Sequence, residues 1–130
     1  MTESLKELVA YRLSRAAEAL DEAEALAKAE HWNACVNRLY YACFYAVSAL
    51  LVRHGLSSSK HSGARSLFNR EFVKTGIVPI EIAEIYNSLF ERRQESDYED
   101  FFLFEASDVI PWIQDARRLV AHVRPLAERE

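Results

Sequence analysis

The first 54 residues contain neither glycine nor proline; the first backbone breaker is Gly55. A stretch of that length is helix wherever its apolar residues recur at helical spacing. Leu5, Leu8, Val9, Leu13, Ala16, Ala17, Leu20 and Ala23 do so, with Glu18, Asp21, Glu22 and Glu24 off the stripe. The polar interruption Glu30-His31-Trp32-Asn33 separates this helix from a second, from about Asn33 to Arg53. The second is apolar nearly all round (Val36, Leu39, Tyr40, Cys43, Phe44, Val47, Leu50, Leu51). A helix without a polar face must be wrapped by others, so this one is the central helix of the fold.

The rest of the chain supplies the wrapping. Gly55 ends the second helix, and Ser57-Ser58-Ser59 offers cap chemistry for a third over about Ser62 to Lys74, with Gly76 following it. Pro79 opens a fourth helix through Ile82, Ala83, Tyr86, Leu89 and Phe90 toward Glu95. A linker rich in acids and aromatics (Asp97 to Phe104) leads to a fifth helix from Ser107-Asp108 to near Pro125. Period-two alternation and hairpin dipeptides are lacking. The expected fold is all-α, an up-and-down bundle of four main helices plus a shorter one, in a single domain of 130 residues.

Composition narrows the function classes. The chain carries 16 Lys+Arg against 20 Asp+Glu, a net charge of −4, which argues against a general nucleic-acid coat. The charge is uneven: residues 31–75 hold six bases and one acid, Glu71, between acidic flanks. The longest uncharged run, Leu39 to Val52, has 14 residues, short of the roughly 20 that span a bilayer, so it reads as core and no membrane partner is expected. Met1-Thr2-Glu3-Ser4-Leu5-Lys6 does not resemble a secretory signal. Cys35 and Cys43, eight apart on one helix, lie too far apart for a disulfide, which fits a reduced, cytoplasmic protein.

Few residues offer chemistry. His31, His54, His61 and His122 show no metal-ligand spacing, and three isolated glycines form no phosphate loop; neither metal nor cofactor is expected. Arg38 interrupts the apolar helix and either binds an anion or pairs with an acid from another helix. His61, Arg65 and Asn69 follow at i, i+4, i+8 and share one helix face. Arg70 and Lys74 form a basic pair that reads as solvated surface. Arg92 and Arg93 each offer a guanidinium fork for a phosphate, although Arg93 and Asp97 at i, i+4 also fit a helix ion pair worth about 0.3–0.5 kcal/mol.

The order of these segments resembles a known family. Arg38-Leu39-Tyr40-Tyr41-Ala42-Cys43-Phe44 is similar to its central motif Arg-x-Tyr-Tyr-Ala-x-Phe. Lys60-His61-Ser62-Gly63 is similar to its Lys-x-His-x-Gly helix start, one residue shorter. Phe72-Val73-Lys74-Thr75-Gly76 and the segment from Arg92 or Arg93 through Asp97-Tyr98 complete the series. Together they resemble the HEPN domain family over about residues 5–125. The resemblance implies a helical bundle that forms a homodimer. It also implies a minimal nucleotidyltransferase as partner in a toxin–antitoxin pair, with RNA or nucleotide bound at the dimer groove.

By that resemblance Arg92, Arg93, Asp97 and His61 are the candidate catalytic residues of a metal-independent ribonuclease. Arg38, Arg65 and Tyr98 would bind phosphate or nucleotide. The family pattern of Arg, four to six residues, then His is not kept here, because the fifth position after Arg92 is Asp97. An ionised carboxylate repels phosphate and is a poor proton donor. That leaves His61 for proton transfer. The alternative is a non-catalytic module that docks a nucleotidyltransferase or other partner through Phe101, Phe102, Phe104 and Trp112.

Overall fold

A computed structural model describes residues 1–129. Helix α1 spans Glu3–Lys28, α2 Trp32–Arg53, α3 His61–Phe68, α4 Ile80–Tyr98 and α5 Ala106–Glu128; α3 continues into a π-helical turn, Asn69–Val73. There is no strand among the described residues, and the architecture is the expected helical bundle. The four long helices alternate in direction, with α1, α2 and α5 packed against one another. Helix α4 lies on α2 and α5, and α3 crosses α2.

Helix α2 is central but not wrapped on every side: Ala34 is exposed, and Asn37, Arg38, Tyr41, Phe44 and Tyr45 form a half-buried stripe along one face. Cys35, Val36, Leu39, Tyr40, Ala42, Cys43, Ala46, Val47, Ala49 and Leu50 are fully inaccessible. By length and composition it is also the one helix among the described residues that could cross a membrane, but 72% of its apolar window is covered by the protein itself. The alanines of α1 (Ala16, Ala19, Ala23) face it, and their small side chains bring the two backbones close. Both cysteines are unpaired and buried, and burial pushes the Cys35 thiol up to about 11 and Cys43 further. They pack as small apolar groups.

The connections carry local signals that the sequence showed only in part. Gly55, at φ 73°, closes α2: its N–H reaches the Val52 carbonyl, and the Leu56 N–H reaches that of Leu51. The same pair of bonds ends α1, from Glu30 to Ala27 and from His31 to Leu26, but there the left-handed residue is Glu30, at φ 61°. The serines 57–59 do not cap α3. Lys60 occupies the cap position without a side-chain bond, while Ser58 Oγ accepts the Lys60 N–H at 3.2 Å. A side chain at Gly63 would strike Ser58 Oγ, so this glycine lets the loop fold over the start of α3.

Helix α4 runs three residues past its expected end, which places Asp97 and Tyr98 on helix and shortens the linker to residues 99–105. Asn33 holds that linker at two points, donating to the Phe102 carbonyl at 2.7 Å and accepting the Phe104 N–H at 2.9 Å. Phe104 is buried, packed edge-on to Phe102 and Trp112. Three of the four aromatics expected to anchor a partner are therefore internal or half-covered, and only Phe101 is fully exposed. Tyr98, expected at the phosphate site, and Leu103 flank it in the sequence, each about four-fifths exposed.

Asn33→Ala removes both bonds to the linker and leaves a backbone carbonyl and N–H partly covered; a loss of about 1–3 kcal/mol is expected in urea unfolding. Glu30→Gly relieves a left-handed L-residue, and a gain of about 1 kcal/mol is expected by the same measurement.

Candidate functional site

Helices α2, α3 and α4 meet around the ring of Tyr40. This ring is fully buried and stacks on Tyr86, with ring centres 6.0 Å apart. Three neighbours complete its surroundings: Phe44 one turn along α2, Tyr41 edge-on at 5.3 Å, and Phe90 of α4 edge-on at 5.9 Å. The aromatic patch is a floor, and the polar groups of interest lie on it.

His61, at the first turn of α3, stacks on Phe44 at 4.3 Å with the planes 12° apart and meets the edge of Tyr41 at 5.6 Å. Its Nδ1 lies 2.6 Å from Tyr40 Oη. Burial lowers the affinity of the imidazole for a proton, and the charge of Arg93 lowers it further. His61 is therefore neutral at pH 7. Burial raises the Tyr40 hydroxyl to about 12, with Arg93 opposing the shift, so the phenol keeps its proton. When Nδ1–H donates to Tyr40 Oη, Nε2 is left as a free proton acceptor.

Arg93 projects from α4 over the same floor, its guanidinium 4.4 Å from the centre of Tyr40 and 6.0 Å from those of Tyr41 and Phe90. A side chain only 13% exposed makes this a partly desolvated cation. Its Nη1 donates to Asp97 Oδ2 at 3.1 Å, and its buried Nε has no partner among the described residues. The ion pair anticipated from spacing is present, but it sits against the aromatic floor rather than on open surface.

The structure separates the two adjacent arginines. Arg92 points toward α5, 5.7 Å over Trp112 and paired with Glu95 at 3.3 Å, and it does not share the rings that hold His61 and Arg93. Tyr98 is exposed at the end of α4 and makes no ring contact with His61 or Arg93 among the described residues. Arg38 is near: it lies 4.8 Å over Tyr41, donates to Asn37 Oδ1 and pairs with Glu22 of α1 at 3.4 Å. Arg65 lies 4.0 Å over Phe90 and pairs with Glu91 at 3.5 Å. His61, Arg93, Asp97, Arg38 and Arg65 thus converge, while Arg92 and Tyr98 do not.

Sequence reasoning missed the ring supports Phe90 and Tyr86. Their signal was present, because Phe90 and Tyr86 precede Arg93 by three and seven residues and share its face of α4. It also missed Arg15 of α1, which extends the pattern by lying 5.2 Å over Tyr45 and pairing with Glu18 at 3.0 Å. Among the described residues no three His, Cys, Asp or Glu side chains form a cluster able to hold a metal ion.

The arrangement can hold an anion between partly desolvated guanidinium groups and set a neutral imidazole beside it. The model of the HEPN domain family matches residues 9–126. A UPF0332 protein of Thermotoga maritima is 46% identical over 123 residues, covering 95% of this chain and 93% of the relative. A protein of Methanocaldococcus jannaschii named "Putative toxin MJ0142" is 36% identical over 87 residues, 67% of this chain and 59% of that one. A UPF0332 protein of Gloeobacter violaceus is 41% identical over 70 residues, covering 54% of this chain and 56% of its own length.

A proton titration followed by NMR should give His61 a midpoint below the ordinary imidazole value of about 6.5, and Arg93→Gln should move it upward. The unfolded chain then takes up this proton before the folded one. The contribution of His61 to stability is accordingly full at neutral pH and lost as pH falls below about 6.5.

Proposed function

From the premise that this chain belongs to the HEPN domain family, we propose that it is a toxin-like protein whose His61–Arg93 pocket binds a phosphate of RNA or nucleotide. The observation that carries this reading is the placement of a neutral imidazole and a partly desolvated guanidinium on one aromatic floor. The name of the Methanocaldococcus jannaschii relative supports the toxin-like character. A homodimer places a second copy of the pocket across a groove, as the family resemblance implies.

In cleavage, the 2′-oxygen of RNA attacks the adjacent phosphorus while its proton passes to His61 Nε2. Arg93 stabilises the charge gathering on the phosphorane oxygens. The bond to the 5′-oxygen breaks, and that oxygen takes the proton back from His61. Arg38 and Arg65 flank the phosphate. Asp97 opposes binding, since its carboxylate occupies the Arg93 fork that the phosphate must reach.

A second reading rests on that same carboxylate and on the exposed Tyr98, Phe101 and Leu103: a non-catalytic module that docks a nucleotidyltransferase or another partner. Incubating the protein with RNA in EDTA separates the readings. His61→Ala and Arg93→Ala are each expected to lower cleavage by about 10²–10³-fold. Equal cleavage by all three proteins would remove the pocket assignment. Absence of both cleavage and RNA binding by the native chain, together with co-elution of a co-expressed nucleotidyltransferase, would favour the module.

A further inference from the structure

On the side of Arg65 away from Arg93, a groove of about 1000 Å³ opens between α3 with its π-turn and α4. Arg65, Asn69, Arg70 and Lys74 form one wall, and Asn87 and Glu91 belong to the other. The π-turn shapes the first wall: the Lys74 N–H bonds to the Asn69 carbonyl five residues back, which sets Arg70 and Lys74 at the rim. Arg65 carries a counter-ion in Glu91, and Arg70 pairs among the described residues with its neighbour Glu71. Lys74 makes no ion pair among the described residues.

Two amides lie within this basic wall. Asn69 Nδ2 donates to the Arg65 carbonyl at 3.0 Å and to Asn87 Oδ1 at 3.3 Å. The backbone carbonyl accepts only from the amide nitrogen, so the orientation of Asn69 is fixed, and that of Asn87 follows from it. One acceptor, Asn69 Oδ1, and one donor pair, Asn87 Nδ2, remain without partners among the described residues. A neighbouring donor and acceptor beside cations match a nucleotide, with a base edge on the amides and a phosphate on the rim. Arg65 lines the groove and lies over the same Phe90 ring as Arg93, at 4.0 and 6.0 Å, so it stands between the groove and the pocket.

We propose that the α3–α4 groove is a nucleotide subsite for the residue next to the phosphate held at Arg93, with Arg70 and Lys74 on the flanking phosphate and Asn69 and Asn87 on the base. This rests on the reading of the His61–Arg93 pocket as a phosphate site. It makes a strand, rather than a mononucleotide, the preferred ligand.

The test is binding of a labelled single-stranded RNA hexamer and of uridine monophosphate to the native chain over a salt series, followed by anisotropy and calorimetry. Arg70→Gln/Lys74→Gln should weaken the hexamer, lower its slope of log affinity against log salt by about 0.7, and leave the mononucleotide unchanged. Asn87→Asp keeps the acceptor used by Asn69 and removes the free donor. It should abolish the preference for an intact hexamer over one with an abasic residue at that position. Thermal unfolding of each variant checks folding.

An unchanged slope in the double variant, with Arg93→Ala losing both ligands, would overturn the subsite and leave the phosphate pocket standing. Failure of the native chain to bind either ligand would overturn the pocket reading itself. A double variant that changes from dimer to monomer in light scattering at unchanged slope would make the groove a protein interface, and the proposal would fall.

Discussion

Everything in this bundle depends on covering the apolar residues of α2. Its inaccessible residues run from Cys35 to Leu50, and burial of their side chains, each worth roughly 1.5–3 kcal/mol for the larger ones, is what holds α1, α4 and α5 in place. The same requirement builds the site. Tyr40 is as buried as Leu39 beside it, yet its hydroxyl reaches His61 and its face carries Arg93. One residue therefore belongs to the core and to the polar cluster. Damage to either is felt in both.

The charges near Tyr40 follow a repeated construction. Arg15, Arg38, Arg65 and Arg93 each lie over an aromatic ring, on Tyr45, Tyr41, Phe90 and Tyr40, and each meets one carboxylate, from Glu18, Glu22, Glu91 and Asp97. A ring removes water from one face of a guanidinium, which strengthens its pull on any oxyanion, and the carboxylate keeps it from being an uncompensated partly buried charge. A phosphate bound as proposed would have to displace these acids.

The helices were legible because a 3.6-residue period is a local property: the stripe from Leu5 to Ala23 faces the core except at Leu8, which is exposed, and the apolar α2 is central with one half-buried face. The π-turn was not legible, since Asn69 leaves the α-helical path while bonded to Asn87 on another helix. The choice between Arg92 and Arg93 was left open for a related reason. Adjacent helical residues point about 100° apart, and which one faces α2 depends on how α4 is rotated against it. Asn33, part of a polar interruption in the sequence, proved to bind the linker 69 residues away, a contact no window of sequence can contain.

That asparagine has a consequence for the surface above it. Phe101 and Leu103 stand almost fully in water, which in a loose loop would mean a shifting ensemble. Here the backbone at Phe102 and Phe104 is pinned to the first turn of α2, and the alternate side chains Phe102 and Phe104 turn inward. The two outward rows are therefore presented at a fixed spacing, with the conformational entropy already spent when the chain folded. Whatever meets this edge meets a template rather than a tether.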